Sequence, residues 1–165
     1  ASHGDIVEEL LSFLMRDKYL KLSPPKNSGR EYYGTQYLNK ILKRFPSISR
    51  EDLIRTLTRF TAESIHDQAV RYLQDIPKEV VVGGGGSKNR VIMSDLRELF
   101  SGRVTTFSSM GIEDDLRESL GFAILANQTL HNAPGRITDV KSMTGPVLGK
   151  ITPGRNFREL FSILT

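Results

Sequence analysis

Val80-Val81-Val82-Gly83-Gly84-Gly85-Gly86-Ser87-Lys88-Asn89 is the stretch on which the reading of the fold turns. Three consecutive valines predict a short strand, Glu79 through Val82, buried on both faces. Four glycines follow directly, and without Cβ atoms the backbone can turn sharply and approach a ligand to contact distance. Beyond them Ile92, Leu96 and Leu99 recur at helical spacing and predict a helix with an apolar inner face. A strand that enters a glycine turn and leaves as a helix sets the turn at the carboxyl end of the strand, where open α/β sheets bind ligands. The N-terminus of the helix offers N–H groups and the positive end of its dipole, both suited to phosphate. Ser87 or Asn89 is expected to cap this helix, with Lys88 supplying charge. Two familiar phosphate motifs do not fit. A P-loop requires Gly-Lys-Ser/Thr in succession, but Ser87 separates Gly86 from Lys88. A dinucleotide fingerprint lacks its third glycine and its later acidic residue. The plainer alternative is a flexible glycine linker, and a valine strand before it with an amphipathic helix after it argue against that.

Upstream, Asp5 is expected to cap a helix carrying Ile6, Leu10, Leu11, Phe13 and Leu14. Pro24-Pro25 stops helical structure, so Pro24 through Gly34 reads as a polar loop. A short helix through Tyr37, Leu38, Ile41 and Leu42 closes at Phe45-Pro46. Ser49 opens the longest helix, with Asp52 at the capping-box position and Leu53, Leu57, Phe60, Ile65 and Ala69 along one face. Downstream of the glycine turn, Arg103 through Phe107 is a second strand. A last long helix from about Glu113 to Leu130 presents Leu116, Leu120, Ala123 and Leu130 to a core. The order of elements is α/β grammar with parallel strands. Two strands do not make a sheet that stands alone, so the sheet is incomplete and its open edge invites pairing, a homodimer included.

The composition is that of a folded globular chain: 38% hydrophobic and 25% charged over 165 residues. The net charge of +4 comes from interleaved signs, as in Arg50-Glu51-Asp52. That pattern excludes nucleic acid as a partner, while a mild positive excess suits an anionic ligand. No apolar run is long enough to span a membrane, and the cytoplasm is the expected location. With no cysteine there is no disulfide framework and no thiol nucleophile. His3, His66 and His131 lack metal-ligand spacing, so no metal site is expected. Asp114-Asp115 reads as a charged helix start rather than a catalytic pair. Ala1 through Gly4 reads as an expression scar or a frayed end, leaving residues 5–165 as one folded unit.

Several segments, in order, resemble the anhydro-N-acetylmuramic acid kinase family. Pro24-Pro25-Lys26-Asn27-Ser28-Gly29-Arg30-Glu31 resembles its Pro-Pro-Lys-Ser-Thr-Gly-Arg-Glu loop. Val82 through Asn89, followed by Ile92-Met93, resembles its Gly-Gly-Gly-x-x-Asn turn. Gly111-Ile112 with Glu118, Phe122-Ala123 and Leu125-Ala126 resembles its Gly-Ile…Glu-Ala…Phe-Ala-x-Leu-Ala helix, and Val147-Leu148-Gly149-Lys150-Ile151-Thr152-Pro153-Gly154 its C-terminus. The resemblance covers nearly the whole chain. It departs at Pro134 through Met143, where the family's Thr-Gly-Ala is missing.

The resemblance implies a helix-rich C-terminal portion of an actin/hexokinase-like (RNase H-like) lobe. It also implies ATP with Mg²⁺ as cofactors and an amino sugar, 1,6-anhydro-N-acetylmuramic acid, as the phosphorylated substrate in cell-wall recycling. Gly83, Gly84, Gly85, Gly86 and Asn89 fall on the nucleotide-binding turn, Gly83 being an added glycine. Glu118 falls on a sugar-contacting glutamate, and Lys26, Arg30 and Glu31 on a loop that braces the lobe or borders the cleft. The family's Met-Ser-Gly-Thr-Ser and catalytic Asp-Thr-Gly-Pro segments are absent from these residues. The chain is therefore expected to be a C-terminal portion that needs an N-terminal lobe of the same protein and is inactive alone. The alternative is a non-catalytic nucleotide-binding or regulatory module derived from that fold.

Overall fold

A computed structural model of the chain describes residues 1–73, 75–113, 116–135, 144–156, 158–159 and 162. They form two compact units, Ala1–Ser109 and Met110–Thr165. The first contains helices α1 (Glu8–Met15), α2 (Thr35–Arg44), α3 (Arg50–Tyr72) and α4 (Arg90–Leu99), with strands β1 (Val80–Val82) and β2 (Val104–Thr106). Short 3₁₀ turns occupy Lys18–Lys21 and Gly85–Lys88. The second unit contains α5 (Arg117–Leu130).

Helix α3 is the axis of the first unit. At 23 residues it is about 35 Å long, enough to serve two apolar clusters in succession. Leu53, Leu57 and Phe60 pack against Leu10 and Leu14 of α1 and Ile41 of α2. Further along, Ala62 and Ala69 meet Met93, Leu96, Phe100 and Val104. The single predicted face therefore divides between two partners, and Ile65, assigned to it, is 43% exposed.

Ser49 caps α3 as expected, its hydroxyl accepting the Asp52 N–H at 3.0 Å. The Asp52 carboxylate in turn accepts the Asp5 N–H at 2.8 Å, and Thr56 Oγ1 accepts the Val7 N–H at 3.0 Å. These bonds draw the chain entering α1 along the first turns of α3, so Val7, not Asp5, is the α1 N-cap. Gly4 lies so close to α3 that an added Cβ would sit 2.2 Å from the Glu51 carbonyl oxygen.

Strands β1 and β2 pair in parallel, with Val80 opposite Val104 and Val82 opposite Thr106. Parallel pairing across a helical crossover follows from the strand–helix–strand order. The three valines are half-buried rather than buried on both faces, because the described sheet has two strands. In the second unit α5 starts at Arg117, later than the expected Glu113. Its predicted core face is open: Leu116, Leu120 and Leu130 are 55%, 45% and 47% exposed, and Ala123 is exposed as well. Asp114, Asp115 and the departing stretch 136–143 lie outside the described residues.

Two outcomes test this packing. Phe100 is 1% exposed at the centre of the second cluster, and Phe100→Ala should cost about 3–5 kcal/mol in urea unfolding. The Asp52 carboxyl is held below its ordinary pKa by the Asp5 N–H first and the Ser49 hydrogen bond second. A depressed folded pKa contributes stability above the unfolded value that is lost on acidification through the folded one. The melting temperatures of wild type and Asp52→Asn should therefore differ at neutral pH and converge below about pH 4.

Candidate functional site

The glycine turn leaves β1 at its carboxyl end. Gly84 adopts φ 81° and ψ −169°, a conformation essentially restricted to glycine, and this residue swings the chain away from the sheet. Gly85–Lys88 then forms one 3₁₀ turn closed by Ser87 N–H to Gly84 O at 3.1 Å. The Ser87 hydroxyl donates to the same carbonyl at 2.7 Å. Ser87 thus holds the turn, and Asn89 is the cap of α4: its Oδ1 accepts the N–H groups of Val91 at 3.0 Å and Ile92 at 3.3 Å.

This changes which atoms are open to an anion. Two N–H groups at the start of α4, expected to face a ligand, are closed by Asn89 itself. The N–H groups of Gly85 and Gly86, which open the 3₁₀ turn, have no acceptor among the described residues. Both glycines are exposed, and a Cβ on either would meet nothing within 4 Å. The absent side chains therefore serve no internal packing; they leave the backbone accessible from outside. Lys88 and Arg90 flank Asn89, and the first turn of α4 carries no acid. The α4 dipole is positive at this end.

Helix α4 is fixed to α3 by a charged network. Asp95, 3% exposed, accepts from Arg55 through both oxygens, at 2.7 and 2.9 Å, and from Arg59 at 3.4 Å. Arg59 also pairs with Glu63 at 2.9 Å and with Glu98 at 3.0 and 3.2 Å. Burial alone would lower the Arg59 pKa, but bonds to Glu98 and Glu63 outweigh it and raise the pKa above the ordinary arginine value. Sequence reading passed over this network because its members look like ordinary helical surface charges.

The loop residues divide. Lys26 is half-buried, and its ammonium donates to the carbonyls of Tyr19, Leu20 and Leu22, at 3.3, 3.3 and 2.9 Å, and to Gln68 Oε1. It also lies over the rings of Tyr19 and Tyr72. An ammonium has three N–H donors, so Lys26 is fully engaged in tying the loop to α3. Arg30 and Glu31 are exposed and make no ion pair with any described residue. Glu118 is exposed in the first turn of α5. The described residues hold no cluster of three metal-ligating side chains, and none of their helices is long and apolar enough to cross a membrane.

A cavity, unforeseen from sequence, opens between the loop, α2 and α3. It measures about 900 Å³ and is walled by Tyr19, Tyr33, Tyr37 and Phe60. All five tyrosines of the chain gather around this loop, Tyr72 reaching the Leu22 carbonyl at 3.0 Å. Asp17 accepts the Tyr32 hydroxyl at 2.6 Å, and this bond, with burial second, raises the Tyr32 pKa. Burial first and the Asp17 carboxylate second raise those of Tyr33 and Tyr37. These phenols stay neutral at any physiological pH and act as walls. The signal in the sequence was the crowding of Tyr32, Tyr33 and Tyr37 beside the proline loop.

Comparison with known proteins identifies the family. A family model described as anhydro-N-acetylmuramic acid kinase matches residues 1–154. An anhydro-N-acetylmuramic acid kinase of Clostridioides difficile (strain 630) is 38% identical over 162 residues, covering 93% of this chain and 41% of the relative. Those of Bacillus cereus (strain ATCC 10987 / NRS 248) and Bacillus thuringiensis (strain Al Hakam) are 35% and 37% identical, each over 92% of this chain and 41% of the relative. The chain thus spans about two fifths of the length of these curated relatives. A match running through the loop, the glycine turn and α5 leaves one conclusion: the chain belongs to the anhydro-N-acetylmuramic acid kinase family.

Proposed function

We propose that the chain forms the nucleotide-binding portion of an ATP-dependent kinase for 1,6-anhydro-N-acetylmuramic acid, in a lobe of the actin/hexokinase kind. The observation that carries this reading is the glycine turn: Gly85 and Gly86 N–H donors, with no acceptor among the described residues, stand at the carboxyl end of a parallel strand, beside a capped helix. Family membership supplies the sugar and the reaction. The terminal phosphoryl group passes to the sugar's O6, the anhydro bond from C1 to O6 breaks, and water adds at C1.

Within this reading each residue has a limited task. Gly85 and Gly86 donate to phosphate oxygens of the nucleotide. Gly83 and Gly84 shape the exit from β1. Asn89 holds α4 rigid behind the turn, and Lys88 and Arg90 supply positive field. Glu118 accepts a hydroxyl of the sugar. Lys26 braces the loop without touching a ligand. Kinases of this kind use Mg²⁺ with the nucleotide to neutralise phosphate charge; the described residues hold no cluster of three metal-ligating side chains to fit the ion, and no step is assigned to it. The catalytic aspartate segment is absent from these residues, so turnover is ascribed to the full-length gene product, whose remaining strands complete the edges of β1 and β2. A second copy of the chain is the alternative occupant of those edges.

Two measurements on the full-length gene product test the reading. Because a Cβ at Gly86 would meet no described residue within 4 Å beyond its chain neighbours, Gly86→Val should leave the apo melting temperature nearly unchanged. The same substitution should weaken ATP binding by about tenfold or more, read by calorimetry and by loss of ATP-induced thermal stabilisation. Undiminished ATP binding would refute the turn as the site. Glu118→Gln should raise the sugar KM by about tenfold at unchanged nucleotide KM in a coupled kinase assay. Nucleotide binding by wild type without turnover would favour the non-catalytic module instead.

A further inference from the structure

The Arg55–Asp95 pair lies outside the glycine turn, yet its geometry bears on it. Asp95 follows Asn89 by six positions, about 9 Å along α4. Asn89 belongs to both elements. Its N–H donates to Gly86 at 3.1 Å, its carbonyl accepts from Met93 at 3.0 Å, and its side chain caps the helix. Any slide or rotation of α4 therefore carries Gly85 and Gly86 with it.

Two kinds of contact hold α4 against α3. The apolar one sets Met93, Leu96 and Phe100 against Ala62, with Ala69 beside them. Such contact is non-directional, and alanines offer little relief to fix a register. The charged one is directional: a planar guanidinium meets both carboxylate oxygens at 2.7 and 2.9 Å, with side chains 16% and 5% exposed. A fork of this kind fixes position along and around the helix. Its net effect on stability is small, because desolvation of two charges offsets most of their attraction, and apolar pairs of like volume often stabilise as well.

We infer that Arg55 and Asp95 are positioning residues for the nucleotide: their pair sets the register of α4 and thereby the placement of the Gly85 and Gly86 N–H donors. This inference rests on the nucleotide reading of the turn. It separates affinity from stability, which a merely structural pair does not.

The test is kinetic analysis of the full-length gene product carrying Arg55→Met together with Asp95→Leu. Melting temperature should stay at or above wild type, while the nucleotide KM rises about tenfold and the sugar KM stays within about twofold. Arg55→Lys keeps the charge but loses the fork, and should raise the nucleotide KM about threefold. It decides the matter by the same KM comparison if the double variant does not fold. A wild-type nucleotide KM in the folded double variant, or in Arg55→Lys where only that folds, would overturn the inference, as would an equal rise in both KM values. Failure of the wild-type protein to bind any nucleotide would instead overturn the reading of the turn, and this inference with it.

Discussion

The attachment of α4 to α3 is the constraint on which the rest of the first unit depends. Asp95 is buried with its charge, which is tolerable only because Arg55 meets both its oxygens and Arg59 approaches as well. That requirement fixes the azimuth of α4. With α4 so turned, Met93 and Leu96 face Ala62, and Phe100 closes the cluster over Val104. Strand β2 then runs parallel to β1, and the glycine turn emerges where β1 ends. Removing one partner would leave a buried charge uncompensated, so the pair acts as a specification of geometry more than as a source of stability.

The turn illustrates how local satisfaction decides what a site can offer. A helix N-terminus is often taken as a ready anion site, yet here Asn89 occupies two of its donors. The open donors have moved upstream into the 3₁₀ turn, where absent side chains leave the backbone accessible. An anion bound at Gly85 and Gly86 still feels the α4 dipole and the cations Lys88 and Arg90, but its hydrogen bonds come from the turn.

Much of this was legible in the sequence, and the reasons for what was not are physical. Periodicity revealed α1 to α4 because each buries apolar side chains; Ser49 announced the α3 cap, and the α4 cap was narrowed to Ser87 or Asn89, of which Asn89 serves. The Asp5 assignment failed because a tertiary partner, the Asp52 carboxylate, took its N–H. The α3 face was read as single because one-dimensional patterns do not say how many neighbours a helix has. The Arg55–Asp95 pair was invisible, since residues forty positions apart meet only after folding. Lys26 was legible as part of a bracing or cleft-bordering loop but not in its partners, which come from backbone carbonyls that no side-chain pattern reports.

One mismatch between pattern and burial is itself informative. Val80 through Val82 are written for a strand buried on both faces, and Leu116, Leu120 and Leu130 for a helix with a covered side. The first set is half-buried and the second exposed. Folded chains do not ordinarily leave such surface to water, and the edges of a two-stranded parallel sheet are costly for the same reason. Relatives more than twice as long as this chain supply the natural explanation. Polypeptide of the kind the relatives possess beyond the matched region is what such residues would pack against. On this argument the glycine turn and the Arg55–Asp95 pair are built within the chain's own first unit, whereas its two-stranded sheet is the part that needs further strands to be stable.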